Sequence, residues 1–313
     1  MTAERCAFFD IGTNTILCLI AELAGGQFTV LDDLAEITRL GEGVDRTAQI
    51  SPQGEGRSRE VLRRYLERCS ALGVVKFFAV GTSALRDAQN SAEVRSRLKR
   101  ELELEVRVIS GEEEAAYSFL AAQKGLSLAG RELLVIDIGG GSTEFIRGND
   151  SGVSESVSLD LGSVRLTERF VHSDPVSAEE CNQMLAVMDR ELAALKDRWF
   201  MKSSQLTMVG IAGTFTTLAA VEKKLVHYSH SEVHGTILDL AEVQRQARLF
   251  QGKTLAERKM IPGLEPKRAD VILAGARLIE KIMFLFETDR VIVSDQGVRY
   301  GLLYERLNSH MTC

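Results

Sequence analysis

The chain has 313 residues, a formal net charge of −6, 45% apolar and 26% charged residues. That length suits two domains with ample cores, and the acidic balance argues against a general nucleic-acid binder. Five dispersed cysteines without a C-x-x-C pair point to reduced thiols in a cytoplasmic protein and away from zinc.

The first apolar run, Cys6–Phe9, leads into D-I-G-T-N-T (Asp10–Thr15), and a second run, Ile16–Ala21, follows. Asp10 and Asn14 interrupt it, so neither a signal peptide nor a membrane span is expected. Strand, Asp-Ile-Gly, hydroxyl-rich bend and strand together predict a β-hairpin whose backbone N–H groups can meet an anion. Gln27–Leu31 reads as a third strand, and a polar loop surrounds Gly41-Glu42-Gly43. Ser51-Pro52 opens a helix with proline at its first position. Arginines cluster in 57–68, at a helical spacing that suits a solvated face. The strand Lys76–Val80 ends just before Arg86, which is either a phosphate clamp at a strand terminus or a helix-start surface arginine. A helix over 92–100 and a strand over 105–109 lead to S-G-E-E-E-A (Ser110–Ala115). Ser110 with Glu113 forms a capping box, and the helix dipole accounts for Glu112 as well. Glu114 differs from them only in position.

The helix reaching Gly125 leaves the first half, so domains are expected at 1–124 and 125–313, with the last helix able to pack back on the first. The second half repeats the plan. A buried run, Leu133–Ile136, delivers Asp137, three glycines (Gly139, Gly140, Gly141), Ser142 and then Glu144, with a strand on each side of the bend. A Walker loop or a Rossmann fingerprint would open a helix instead. Acids beside a phosphate cradle make sense when a hard cation such as Mg²⁺ bridges them to the ligand, and a plain glycine turn is the other reading. A strand over 153–159, a helix carrying Arg165 and a long helix over 178–195 follow. Gly210–Leu218 is a glycine- and hydroxyl-rich entry to a helix, a further phosphate or ribose contact at a helix N-terminus. His227, His230 and His234 lie in a polar loop with no helix predicted, which favours structural or solvent roles over a metal site. Helices over 240–250, 269–286 and 298–307 and a strand over 291–293 complete the chain.

Three strands, helix, strand, helix, strand and helix, twice over, resemble the actin/Hsp70/sugar-kinase superfamily. That resemblance implies an α/β fold of two actin-like (ASKHA, ribonuclease H-like) domains with an interdomain cleft. The ordered motifs D-I-G-T-N-T, R-L-G-E-G (Arg39–Gly43), T-S-A-L-R-D-A, I-S-G-E-E-E-A, D-I-G-G-G-S-T-E, L-G-S-V-R, G-I-A-G-T-F-T-T-L and R-A-D-V-I-L-A-G (Arg268–Gly275) are more specific. Together they resemble the exopolyphosphatase/guanosine pentaphosphate phosphohydrolase (Ppx/GppA) family across the chain.

The resemblance implies Glu114 as catalytic base, with Glu113 the next candidate, and Arg86 as the clamp on the phosphate chain. It implies Gly12, Thr13, Asn14 and Thr15, with Gly139–Ser142, as two phosphate loops, and Gly213-Thr214 as a third contact. Asp137 and Glu144, together with Asp10, match Mg²⁺-associated acids. Three departures stand out. Thr13 and Thr15 replace serines, Ala212 stands where glycine is usual and Tyr300 where an acid is common. The expected activity is release of terminal phosphate from inorganic polyphosphate or pppGpp by direct attack of water. The alternatives are a kinase of the same superfold and a non-catalytic pppGpp-binding regulator. Long relatives add a C-terminal helical region where this chain ends at Cys313. A distributive enzyme favouring short polyphosphates is therefore expected, unless a homodimer lends one subunit's basic helix to the other.

Overall fold

The computed structural model describes residues 3–199 and 206–311, so Cys313 lies outside the described residues. The chain packs as two compact units, Met1–Ala121 with Gly297–Cys313, and Ala122–Gln296. The division falls three residues before the predicted boundary, and the final helix counts with the first unit.

In the first unit β1 (Glu4–Ile11), β2 (Thr15–Ala24) and β3 (Gln27–Ile37) precede α1 (Val44–Thr47) and α2 (Pro52–Ala71). Then come β4 (Lys76–Gly81), α3 (Ser83–Asp87), α4 (Ser91–Leu102), β5 (Val106–Val108) and α5 (Gly111–Gly125). The sheet order is β3-β2-β1-β4-β5, with β1, β2 and β3 antiparallel and β1, β4 and β5 parallel. Its β1 core, Phe8 and Phe9 among others, is fully buried on alternate faces, as a strand covered on both sides must be.

The third strand differs from the predicted element. β3 runs to Ile37, six residues beyond the predicted end, although it carries Asp32, Asp33 and Glu36. As an edge strand it tolerates these acids because arginines meet them. Arg68 bonds Asp32 at 2.6 Å and Arg64 bonds Glu36 at 2.6 Å. Arg299 grips Asp33 through two bonds of 2.8 and 3.0 Å. Arg57 and Arg59 pair with Glu42 and Glu101, and Arg63 with Glu60. The basic run on α2 is thus matched acid by acid along a surface face.

In the second unit β6 (Glu132–Ile138), β7 (Thr143–Asn149) and β8 (Gly152–Leu159) precede α6 (Ser163–Phe170) and α7 (Ala178–Trp199). These are followed by β9 (Leu206–Ile211), α8 (Ala212–Glu222), α9 (His230–Val233), β10 (Ile237–Asp239), α10 (Leu240–Gln251), α11 (Leu255–Arg258), α12 (Ile272–Leu285) and β11 (Arg290–Val293). Its sheet order, β10-β11-β9-β6-β7-β8, repeats the first unit's pattern with one extra edge strand. Each unit is therefore an actin-like, ribonuclease H-like α/β unit. α13 (Val298–Met311) packs on β1 and β2.

The predicted polar loop at the histidines contains one helical turn, α9, capped by the Ser229 side chain. His230 pairs with Asp295 through Nδ1. His234 bridges Gly125 O at 3.1 Å and the Asp295 amide at 3.2 Å, one ring nitrogen for each. His234 thus ties two backbone groups together. Among the described residues no helix is long and apolar enough to cross a membrane, and Cys6, Cys18, Cys69 and Cys181 are free and buried.

Candidate active site

In each unit the predicted residues gather at the carboxyl ends of the parallel strands, where ligands bind sheets of this kind. The first unit's turn is closed by Gly12 N donating to Thr15 O at 3.1 Å. Thr38 N and Arg39 N both donate to Asn14 O at 3.0 Å, and Gly41 N to Thr13 O at 2.9 Å. A Cβ on Gly41 would stand 2.5 Å from the Thr13 methyl, so only glycine lets the R-L-G-E-G segment brace the turn. Asn14 is 7% exposed, yet neither atom of its side-chain amide has a hydrogen-bond partner. Leaving such groups unsatisfied costs about 1–3 kcal/mol each, which marks a polar position awaiting a ligand or water.

Arg86 lies on α3 after β4, and Glu114 in the first turn of α5 after β5. The Arg86 guanidinium donates to Glu114 Oε2 at 2.9 Å and to Ile109 O at 3.4 Å. Glu112 is exposed and Glu113 half-buried, while Glu114 is buried. Ser110 N donates to Glu113 Oε2 at 3.0 Å, and Glu113 N to Ser110 Oγ at 3.1 Å. Glu113 also pairs with Arg107. The predicted capping box is present, and it holds Glu113 at the helix end.

The two glutamates differ in acidity for that reason. Burial pushes the Glu114 carboxyl above its ordinary range, with Arg86 pulling the other way and Asp87 adding to the rise. The Ser110 backbone bond, then Arg107, hold Glu113 below its ordinary range. A carboxylate poised upward by burial is what general base chemistry near neutral pH requires. Asp10 is the penultimate residue of β1 in the same unit, half-buried and level with Val80 of β4.

In the second unit Asp137 and Glu144 are direct cross-strand partners, so their side chains share one face. They are 8% and 2% exposed, and Ser158 Oγ donates to Glu144 at 2.8 Å. Gly139 N donates to Ser142 O at 3.0 Å, closing this turn as Gly12 closes the first. Gly213 and Thr214 lie in the first turn of α8, after β9, whose Ile211 is level with Asp137. Ala212, the departure from glycine, carries φ +67°, a left-handed backbone that costs an alanine roughly 1–2 kcal/mol. A Cβ on Gly213 would stand 2.1 Å from the Arg268 guanidinium, and one on Gly275 2.4 Å from the Thr214 methyl. Both ends of R-A-D-V-I-L-A-G thereby cover this turn.

Gly162 and Arg165 were predicted only as part of a helix start, yet they contact the glycine turn. Ser163 N and Oγ donate to Gly139 O at 3.0 and 3.2 Å. Val164 N and Arg165 N donate to Gly140 O at 2.9 and 3.0 Å. Arg165 Nε donates to Gly141 O at 2.7 Å. A Cβ on Gly162 would fall 2.2 Å from Gly140 O. In sequence Gly162 and Arg165 show only as the motif L-G-S-V-R and as a glycine immediately before a helix.

Each unit carries one turn of this construction, and the first also pairs a buried carboxylate with an arginine, features that suit an α/β phosphatase. The chain belongs to the Ppx/GppA phosphatase family, which it matches over residues 19–310. It is 35% identical to exopolyphosphatase 2 of Mycobacterium tuberculosis, over 96% of this chain and 98% of that protein. The crystal structure of the Aquifex aeolicus Ppx/GppA family member is similar at 35% identity and a TM-score of 0.82, covering 99% of both chains. An exopolyphosphatase from Cytophaga hutchinsonii gives 28% identity and a TM-score of 0.88, over 98% of each chain.

Proposed function

We propose that this protein is a Mg²⁺-dependent phosphohydrolase that releases terminal phosphate from inorganic polyphosphate, from pppGpp, or from both. The observation that carries the reading is the pairing of buried Glu114 with half-buried Arg86, with Glu113 occupied in the helix cap. The names of the relatives favour polyphosphate.

Hydrolysis of a phosphoanhydride needs a water aligned with phosphorus and positive potential around the equatorial oxygens. Glu114 Oε accepts the proton of that water as it attacks, so no covalent enzyme intermediate is needed. Arg86 holds the Glu114 carboxylate in place and supplies positive charge to phosphoryl oxygens. The turn Gly12–Thr15 cradles phosphate through backbone N–H groups, hydroxyls and the Asn14 amide. The turn Gly139–Ser142 does the same in its own unit, with Gly213-Thr214 as a third contact.

Asp137 and Glu144 suit a hard cation. Two buried carboxylates share one face of the sheet, and all-oxygen donors are what Mg²⁺ prefers. They would hold the ion in the second unit, and Asp10 is proposed as a metal-associated acid in the first. When bound, Mg²⁺ supplies charge neutralisation at phosphoryl oxygens.

Phosphate release from polyphosphate and from pppGpp, measured in parallel with and without Mg²⁺, tests the reading. Release from at least one substrate, without any acceptor, is the expected result. No release from either would overturn it.

A further inference from the structure

The geometry points to Arg165 as a positioning residue for the Gly139–Ser142 turn, an inference that rests on the phosphate-binding role proposed for that turn. Three successive glycines have the least conformational preference of any backbone, so the turn cannot orient itself. Its orientation is imposed from outside. The carbonyls of Gly139, Gly140 and Gly141 all accept bonds from the segment that opens α6, the last of them from Arg165 Nε.

In a trans peptide the C=O of one residue and the N–H of the next point in opposite directions. Holding those three carbonyls toward α6 therefore aims the N–H groups of Gly140, Gly141 and Ser142 to the other side. Among the described residues those three N–H groups donate no hydrogen bond inside the protein, although all three residues are buried. Three convergent, unsatisfied N–H groups are an anion nest.

The first unit solves the same problem differently. Its turn residues are Thr13 and Asn14, and among the described residues only the backbone N–H groups of Thr38, Arg39 and Gly41 hold their carbonyls. Where side chains already restrict the backbone, no side-chain strut is needed. The second turn lacks such restriction at Gly141, and there a guanidinium supplies the hold. Arg165 acts through that carbonyl, which separates it from residues that contact phosphate by charge.

Two variants discriminate. In Arg165→Gln, the amide nitrogen sits at the same bond count from Cα as Arg Nε, so it keeps the donor to Gly141 O and removes the charge. Arg165→Ala removes both. Steady-state hydrolysis of tripolyphosphate should show the KM of the alanine variant raised about tenfold, with kcat changed less than about threefold. The glutamine variant should recover most of that loss. Melting temperatures should stay near wild type, because the backbone bonds from Ser163 and Val164 remain. Equal impairment of both variants would overturn the inference by showing that the charge matters, and so would an unchanged alanine variant. If wild type releases no phosphate, the proposed function fails instead. Calorimetric titration of tripolyphosphate into the same three proteins then decides the inference: weaker binding by alanine alone supports it, and any other ranking refutes it.

Discussion

The Arg86 guanidinium stands 2.9 Å from the Glu114 carboxylate, joining α3 to the first turn of α5 across 28 residues of chain. The pair places a buried acid and its counter-charge where two parallel strands end.

Glu114→Gln keeps the side chain's shape but cannot accept a proton, so turnover should fall by roughly 10²–10⁴ while substrate binding survives. Stability should move the other way. An acid whose folded pKa is raised loses stability as pH climbs from its unfolded pKa through the folded one. Burial raises Glu114, so the variant should melt no lower than wild type at neutral pH. Turnover within a few-fold of wild type would dismiss the assignment.

Arg86 opposes the rise in the Glu114 pKa. The proposed base would work only when ionised, so kcat should increase with pH along an acid limb set by Glu114. Removing the guanidinium in Arg86→Gln should shift that limb to higher pH as well as lowering activity. A limb left in place, or moved to lower pH, contradicts the electrostatic role.

Asp137→Asn and Glu144→Gln each remove one of two facing carboxylates. Each should raise the Mg²⁺ concentration needed for half-maximal phosphate release by about tenfold or more, with the circular dichroism spectrum unchanged. Superimposable metal titrations for both variants and wild type would remove these residues from the metal site.

Acid stability should depend on Glu4. Its carboxyl is lowered from 4.5 to about 2, first by the hydrogen bond from Lys76, with Arg306 adding to the effect. A depressed acid contributes stability in full above its unfolded pKa and loses it as pH falls through the folded one. The contribution should therefore fade between about pH 4.5 and pH 2. Urea titrations of Glu4→Gln should show a shallower fall in that window. A parallel pH profile would mean the pair is too solvated to matter.

Much of the architecture was legible because it rests on short-range signals. Apolar runs on either side of Gly12–Thr15 and Gly139–Ser142 mark hairpins, and Ser110 with Glu113 marks a helix start. In the structure that cap engages Glu113 while Glu114 is buried, a difference that the sequence left to position alone. What was not legible depends on distant partners. The full length of β3 is sustained by Arg64, Arg68 and Arg299, two of them on α2 and one near the chain's other end. The turn at His230 is too short for any periodicity. Arg165 meets Gly141 across 24 residues, and nothing local announces that contact. Ala212 broke a glycine pattern in sequence, yet its backbone adopts the left-handed conformation all the same.

The first unit is completed by residues made after the whole second unit. Val298, Leu302, Leu303 and Leu307 of α13 share one buried cluster with Phe8, Leu19, Val80 and Tyr117, and Gly301 lets the helix come against the Tyr117 backbone. On a ribosome, the half that carries Glu114 and Arg86 must therefore wait with one sheet face uncovered, while the contiguous half can already fold. A nascent chain arrested at Gln296 should show protease resistance over 122–296 and open cleavage within 3–121. Synthesis order thus leaves the proposed base and its arginine in the last part of the molecule to become native.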